Sequence, residues 1–131
     1  MGFLLDTSTL SRHLRGDRRV MQRVGQHGGR LYVSAVVLAE ISVWPRLRRA
    51  KASQAEVDQL LAVMHLLPVD EPVALRFAAV AADLRNAGNP LPTPDLLIAA
   101  TALEHDLTVV TANRRDFDPV PGLRVDDWTA G

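Results

Sequence analysis

Apolar residues along this chain fall into two rhythms. Short unbroken runs at 2–6 (GFLLD), 31–34 (LYVS) and 107–110 (LTVV) are too brief for stable helices and rich in leucine and β-branched residues, so they predict buried strands. Residues 123–125 predict a last edge strand. Between these runs, apolar residues recur at helical spacing. The spacing predicts helices over 9–15 and 17–26, broken at Gly16 and ended by Gly28 and Gly29, and a third over 35 to about 49 that Pro45 kinks or ends. Ser53 and Glu56 form a capping box opening a helix that Pro68 closes, so 36–67 reads as a helical hairpin. Val73, Phe77, Val80, Ala81 and Leu84 predict an amphipathic helix stopping at Gly88. A last helix starts near Thr93, read as its N-cap, with Pro94 in the first turn, and runs through LLIAATALEH.

The resulting order is strand, helices, strand, helical hairpin, helix, helix, strand. It predicts an α/β fold with a central, mostly parallel sheet flanked by helices. In right-handed strand–helix–strand units the helices begin, and the strands finish, at one edge of the sheet, where open α/β sheets collect their ligands. Four acids fall on that edge. Asp6 ends the first strand, Glu40 lies early in the helix after the second, Asp95 opens its helix, and Asp116 lies in the loop after LTVV.

Four neighbouring carboxylates repel one another unless a cation neutralises them. Oxygen donors without His or Cys favour Mg²⁺ or Mn²⁺, and an ion of that kind takes phosphate oxygens as further ligands, which points to phosphodiester hydrolysis. Thr7, Ser8, Thr111 and Asn113 are small polar groups suited to hold carboxylates and water, and Arg114 and Arg115 are suited to flanking phosphates. Taken singly, Asp6 and Asp95 are equally well explained as helix-start acids, and Asp116 as a solvated loop acid. Glu40 stands in the apolar stretch VVLAEISVW and is expected to be desolvated without a partner.

Composition narrows the field. With 131 residues the chain is read as one domain over 1–131, and 47% hydrophobic residues fit a folded globular chain. The lack of cysteine excludes disulfides, thiolate catalysis and thiolate zinc sites. The formal net charge of zero gives no global pull on nucleic acid, so any such binding depends on local patches. Lys51 is the sole lysine, which weakens lysine-based chemistry. His13, His27, His65 and His105 lack ligand spacing, and no nucleophile elbow, P-loop or dinucleotide fingerprint is present. With no basic leader and no long apolar segment, no membrane association and a cytoplasmic location are expected.

The segments FLLDTSTL, VSAVVLAEI and PDLLIAATALEHDLTVVTANRRDF resemble the motifs of the PIN-domain ribonucleases, specifically the VapC-type toxins of prokaryotic toxin–antitoxin pairs. The likeness covers nearly the whole chain, and the last segment is the most specific. It implies a PIN-like fold and a Mg²⁺- or Mn²⁺-dependent endoribonuclease acting on RNA, commonly a homodimer, held inactive by a cognate VapB-type antitoxin. By that resemblance Asp6, Glu40, Asp95 and Asp116 are the catalytic, metal-binding acids, with Thr7, Thr111 and Asn113 in support. Ser8 departs from the pattern, since many members carry Asn there. The helix containing Val36, Val37, Leu38, Ile41, Val43, Trp44 and Leu47 is apolar nearly all round, which fits a covering partner, and Arg46, Arg48, Arg49 and Lys51 follow it as a basic run suited to RNA or an acidic antitoxin segment. Two rival readings are a PIN-like binding module without catalysis and a receiver-like Mg²⁺-binding signalling domain. The latter expects a lysine after a late strand, which this sequence lacks.

Overall fold

The computed structural model describes residues 1–130. Strands β1 (Phe3–Leu5), β2 (Leu31–Ser34), β3 (His65–Leu67), β4 (Thr108–Val110) and β5 (Val125–Asp126) form one sheet in the order β3-β2-β1-β4-β5. Every pairing is parallel. Strand β1 is central, between β2 and β4, and the successive residues Leu4 and Leu5, like Val109 and Val110, point to opposite faces and have no exposed surface, so both faces of the sheet are covered there. The chain winds outward from β1 to β2 and β3, then returns to the other side of β1 for β4. This reversal makes the β1–β4 junction the topological switch point of the sheet.

Helices α1 (Thr7–Leu14), α2 (Arg18–Gln26), α3 (Ala35–Ile41) and α4 (Gln54–Ala62) belong to the outward crossovers, while α5 (Glu71–Asn86), α6 (Thr93–Glu104) and α7 (Arg114–Phe117) belong to the return. Right-handed crossovers put these two groups on opposite faces of the sheet. Small residues make α6 a central element: Ala99, Ala100 and Ala102 are fully buried beside Leu96 and Ile98.

Helix ends follow local chemistry. After α1, Gly16 adopts φ +84° and Asp17 N–H bonds back to Arg12 O at 3.0 Å, a left-handed close that favours glycine. After α6 the same turn is made by Asp106 at φ 54°, held by Arg124, whose Nη2 donates to Asp106 Oδ1 at 2.9 Å.

Three sequence-based expectations change. The helical hairpin over 36–67 is instead the short α3, a 3-10 turn at Trp44–Arg46, a loop and α4, and its last residues are the edge strand β3. Pro45 occupies the start of the 3-10 turn, where its missing N–H does no harm, and α3 has already ended at Ile41. Thr93 is the first residue of α6 and not its cap; Pro92 holds the cap position without a side-chain bond. Asp116, expected in a loop, is the third residue of α7.

Candidate active site at the sheet switch point

Asp6 follows β1 directly and caps α1. Its Oδ1 accepts the Thr9 N–H at 3.0 Å and the Ser8 hydroxyl at 2.7 Å, and the residue is 6% exposed. Both bonds arise because the strand hands over to the helix with no intervening loop. Two further bonds strap this junction to the end of β4: Asp6 N–H donates to Val110 O at 3.0 Å, and Thr9 Oγ1 donates to the same carbonyl at 3.0 Å.

Ser8 links the two sides of the switch point. Its Oγ accepts the Ala112 N–H at 3.0 Å and lies 3.4 Å from Thr111 Oγ1. Thr111 is fully buried and accepts the Asn113 N–H at 2.9 Å, so it shapes the β4–α7 turn from below.

Glu40 stands in the last turn of α3. Val37 and Ile41, four residues apart, occupy the buried stripe, which leaves Glu40 facing out. The expected desolvation of this acid is therefore corrected: it is exposed, and its Oε1 accepts the Thr7 hydroxyl at 3.1 Å.

Asp95 lies in the first turn of α6 and is half-buried. Its carboxyl is pushed above the ordinary value of 3.8, first by burial and then by the charges of Asp116, Asp6 and Glu40. All three other acids are thus close enough to act on it.

A cleft of about 630 Å³ is lined by Asp6, Thr7, Ser8, Glu40, Asp95 and Asn113. An adjoining hollow of about 290 Å³ contains Asp116 and Arg115 and shares Asp95 with the cleft. Arg114 is turned to Asp118, with Nε 3.7 Å from Oδ1.

The family pattern of the PIN domain matches residues 3–123. This chain belongs to the PIN domain family. It is 28% identical over 128 residues to the tRNA(fMet)-specific endonuclease VapC of Salmonella typhimurium, covering 96% of this chain and 97% of that protein. It is 30% identical over 130 residues to Ribonuclease VapC1 of Rickettsia felis, with 95% of each chain covered. In three dimensions it matches a chain of the crystal structure of DNA-bound VapBC from Salmonella typhimurium, with a TM-score of 0.89, 28% identity and 98% of both chains covered.

Sequence reasoning missed Ser11 and Ile98, which also line this PIN domain's cleft, and it did not place Val43, Trp44, Leu47 and Lys51, expected at a partner or RNA surface, in the same cleft as the acids. Ser11 is one helical turn beyond Ser8, a spacing that places both on one side of α1 and was available as a signal. Lys51 comes from the irregular stretch before α4, and no local pattern brings it there.

Among the described residues no three acid, histidine or thiol side chains close on one point as a finished metal cage. The donor set is nonetheless suited to a hard cation: oxygen atoms only, in an open cleft, with one carboxyl destabilised in its charged form by the others. Mg²⁺ in particular is held by one or two carboxylates and completes its shell with water and phosphate oxygens, so an open arrangement fits it better than a closed one.

Proposed function

We propose that this chain is a Mg²⁺- or Mn²⁺-dependent endoribonuclease and the toxin of a VapBC-type pair. The observation that carries this reading is the meeting of Asp6, Glu40 and Asp95 in one cleft at the switch point, with Asp116 acting on Asp95 from the adjoining hollow. Curated relatives covering nearly the full chain are named as ribonucleases and endonucleases, which supports the same chemistry here.

In this reading Asp6 and Asp95 are the principal ligands, and Glu40 and Asp116 complete the anionic surround. A divalent ion, when bound, supplies Lewis acidity to the scissile phosphate and to an attacking water. Everything else is the work of the chain. Ser8 and the Thr9 N–H hold Asp6 Oδ1 in one orientation, and Thr7 holds Glu40 Oε1. Repulsion at Asp95 is relieved when positive charge enters, so the site favours a cation over the empty state. Asn113 lines the cleft with an amide able to donate to a phosphate oxygen, and Arg115 offers a cation beside Asp116. The receiver-like alternative needs a lysine beyond a late strand, whereas Lys51 lies between α3 and α4.

Complexes of VapB with VapC among the structural relatives support a VapB-type antitoxin as partner, and pairing with a second copy of the chain is proposed with it. No helix among the described residues is long and apolar enough to cross a membrane; a cytoplasmic site of action is proposed together with the RNA substrate.

Cleavage of RNA by the purified chain tests the reading. With Mg²⁺ or Mn²⁺ the wild type cleaves and EDTA abolishes it, while Asp6→Asn and Asp95→Asn each lose more than about a hundredfold in kcat/KM, beyond what loss of an outer hydrogen-bond partner costs. Wild-type rates in either variant, or cleavage indifferent to EDTA, overturn the assignment.

A further inference from the structure

The acids occupy only one end of the cleft. At the other end it runs on into a third hollow of about 250 Å³, and Ser11, Trp44 and Lys51 line both. Arg15, the C-cap residue of α1, lines this extension as well. Together the three hollows form a continuous track. Arg115 and Asp116 stand at one end, Asp6, Glu40 and Asp95 occupy the middle, and Lys51 and Arg15 stand at the far end.

Among the described residues, Arg15, Lys51 and Arg115 have no carboxylate within salt-bridge distance; the four ion pairs present involve other cations. These charges are therefore not consumed in holding the fold, although a strongly acidic cluster lies in the same cleft. The same cleft carries an apolar stretch made by Val43 and Leu47, 49% and 40% exposed, with the buried Trp44 beside them. Free cations beside exposed apolar surface suit a single nucleic-acid strand, whose phosphates and unstacked bases need both. An acidic peptide needs only the cations, and it would set its own carboxylates beside Glu40.

We propose that Lys51 and Arg15, with the Ser11 hydroxyl between them and the acids, form a phosphate subsite that holds the single-stranded RNA flanking the scissile bond. This rests on the nuclease reading and adds to it a positioning function for the chain's only lysine. Each phosphate contact on a single strand contributes about 0.7 to the slope of log affinity against log salt, equivalent to about fivefold in affinity at 0.1 M salt relative to 1 M.

The test is steady-state cleavage by the Mg²⁺-loaded protein of a single-stranded RNA oligonucleotide and of a dinucleotide, using Lys51→Gln, Arg15→Gln and the double variant. Anisotropy of the same oligonucleotide, fluorescein-labelled, is measured in EDTA across a salt series. The double variant is expected to raise KM on the oligonucleotide by about twenty-fivefold with kcat little changed, and to lower the salt slope by about 1.4. Lys51→Arg restores most of the loss, and Arg85→Gln, at the exposed end of α5, changes neither quantity. The dinucleotide, too short to reach the subsite, is cleaved equally by wild type and variants.

An unchanged KM and slope overturn the proposal, as does an equal loss on the dinucleotide, which would mean a disturbed active site. Weaker binding of polyglutamate with unaltered RNA binding overturns it in favour of an acidic protein partner. If the wild type cleaves nothing with either metal, the nuclease reading fails by itself. The EDTA titration then still decides the subsite, supporting it if the double variant binds RNA more weakly and overturning it if affinities match.

Discussion

Removing one hydroxyl, that of Ser8, should measurably loosen the fold and the site together. The Ser8 side chain donates to Asp6 Oδ1 at 2.7 Å and accepts the Ala112 N–H at 3.0 Å, joining the end of β1 to the end of β4 across 104 residues of sequence. Ser8→Ala leaves that N–H without its acceptor in a partly buried position and strips a charge-assisted bond from a carboxylate that is 6% exposed. An unsatisfied buried donor costs about 1–3 kcal/mol and a hydrogen bond to a charged group contributes a similar amount, so a net loss of about 2 kcal/mol is expected after partial hydration of the gap. Unfolding entropy of about 2.1 cal/mol/K per residue gives roughly 0.28 kcal/mol/K for a chain of this length, so Tm should fall by about 7 °C. Urea and thermal unfolding in EDTA measure this without any contribution from a bound ion. A double-mutant cycle with Asp6→Asn separates the link to Asp6 from general damage, and a coupling of at least about 0.5 kcal/mol is expected. A Tm within about 1 °C of wild type, or additivity within about 0.3 kcal/mol, would refute the argument that Ser8 ties the two strand ends through Asp6.

Three other outcomes follow from the geometry. The Asp95 carboxyl is raised by burial and by Asp116, Asp6 and Glu40, so the folded chain holds that proton to higher pH than the unfolded chain does; its stabilising effect is full below the ordinary value of 3.8 and is lost as pH rises through the raised one. In EDTA, Asp95→Asn should therefore raise Tm at neutral pH, with the gain shrinking on acidification; a gain that is constant with pH would contradict the electrostatic origin. Saturating the wild type with Mn²⁺ at about a hundred times its Kd should add about 2.7 kcal/mol, near 10 °C in Tm by scanning calorimetry, and an equal rise in Asp6→Asn would remove that residue from the ligand set. At Gly2 an added Cβ would sit 2.5 Å from Leu107 Cδ2 and 2.7 Å from Tyr32 Cε1, so Gly2→Ala should cost about 1–3 kcal/mol by denaturant unfolding, and a neutral effect would mean that both side chains shift freely.

The amino-acid sequence alone determined the features with local physical causes. A run such as FLLD, ending in an acid followed by hydroxyl residues, predicts a buried strand feeding a capped helix, and Asp6 is found in that position with Thr9 N–H on its carboxylate. Ser53 and Glu56 form the expected reciprocal cap, and Gly16 and Gly88 close their helices in the left-handed conformation that only a residue without a side chain adopts cheaply. Because parallel crossovers return to one edge, the convergence of Asp6, Glu40, Asp95 and Asp116 was also legible from element order.

Tertiary structure decided whatever depends on partners distant in sequence. Residues His65–Leu67 carry no strand signal of their own and become β3 by pairing with Tyr32, Val33 and Ser34. The environment of Glu40 was set by which side of a short helix the sheet covers, and hydropathy along VVLAEISVW cannot report that. Likewise Trp128, 1% exposed and packed against Phe3 and His27, joins the core from the far end of the chain. Lys51 enters the cleft from the loop before α4, which shares a hollow with Leu14 and Arg15 at the end of α1. Strand ends and helix caps arise from bonds a few residues apart, whereas the lining of a cleft is set by packing among elements that meet only once the sheet has formed.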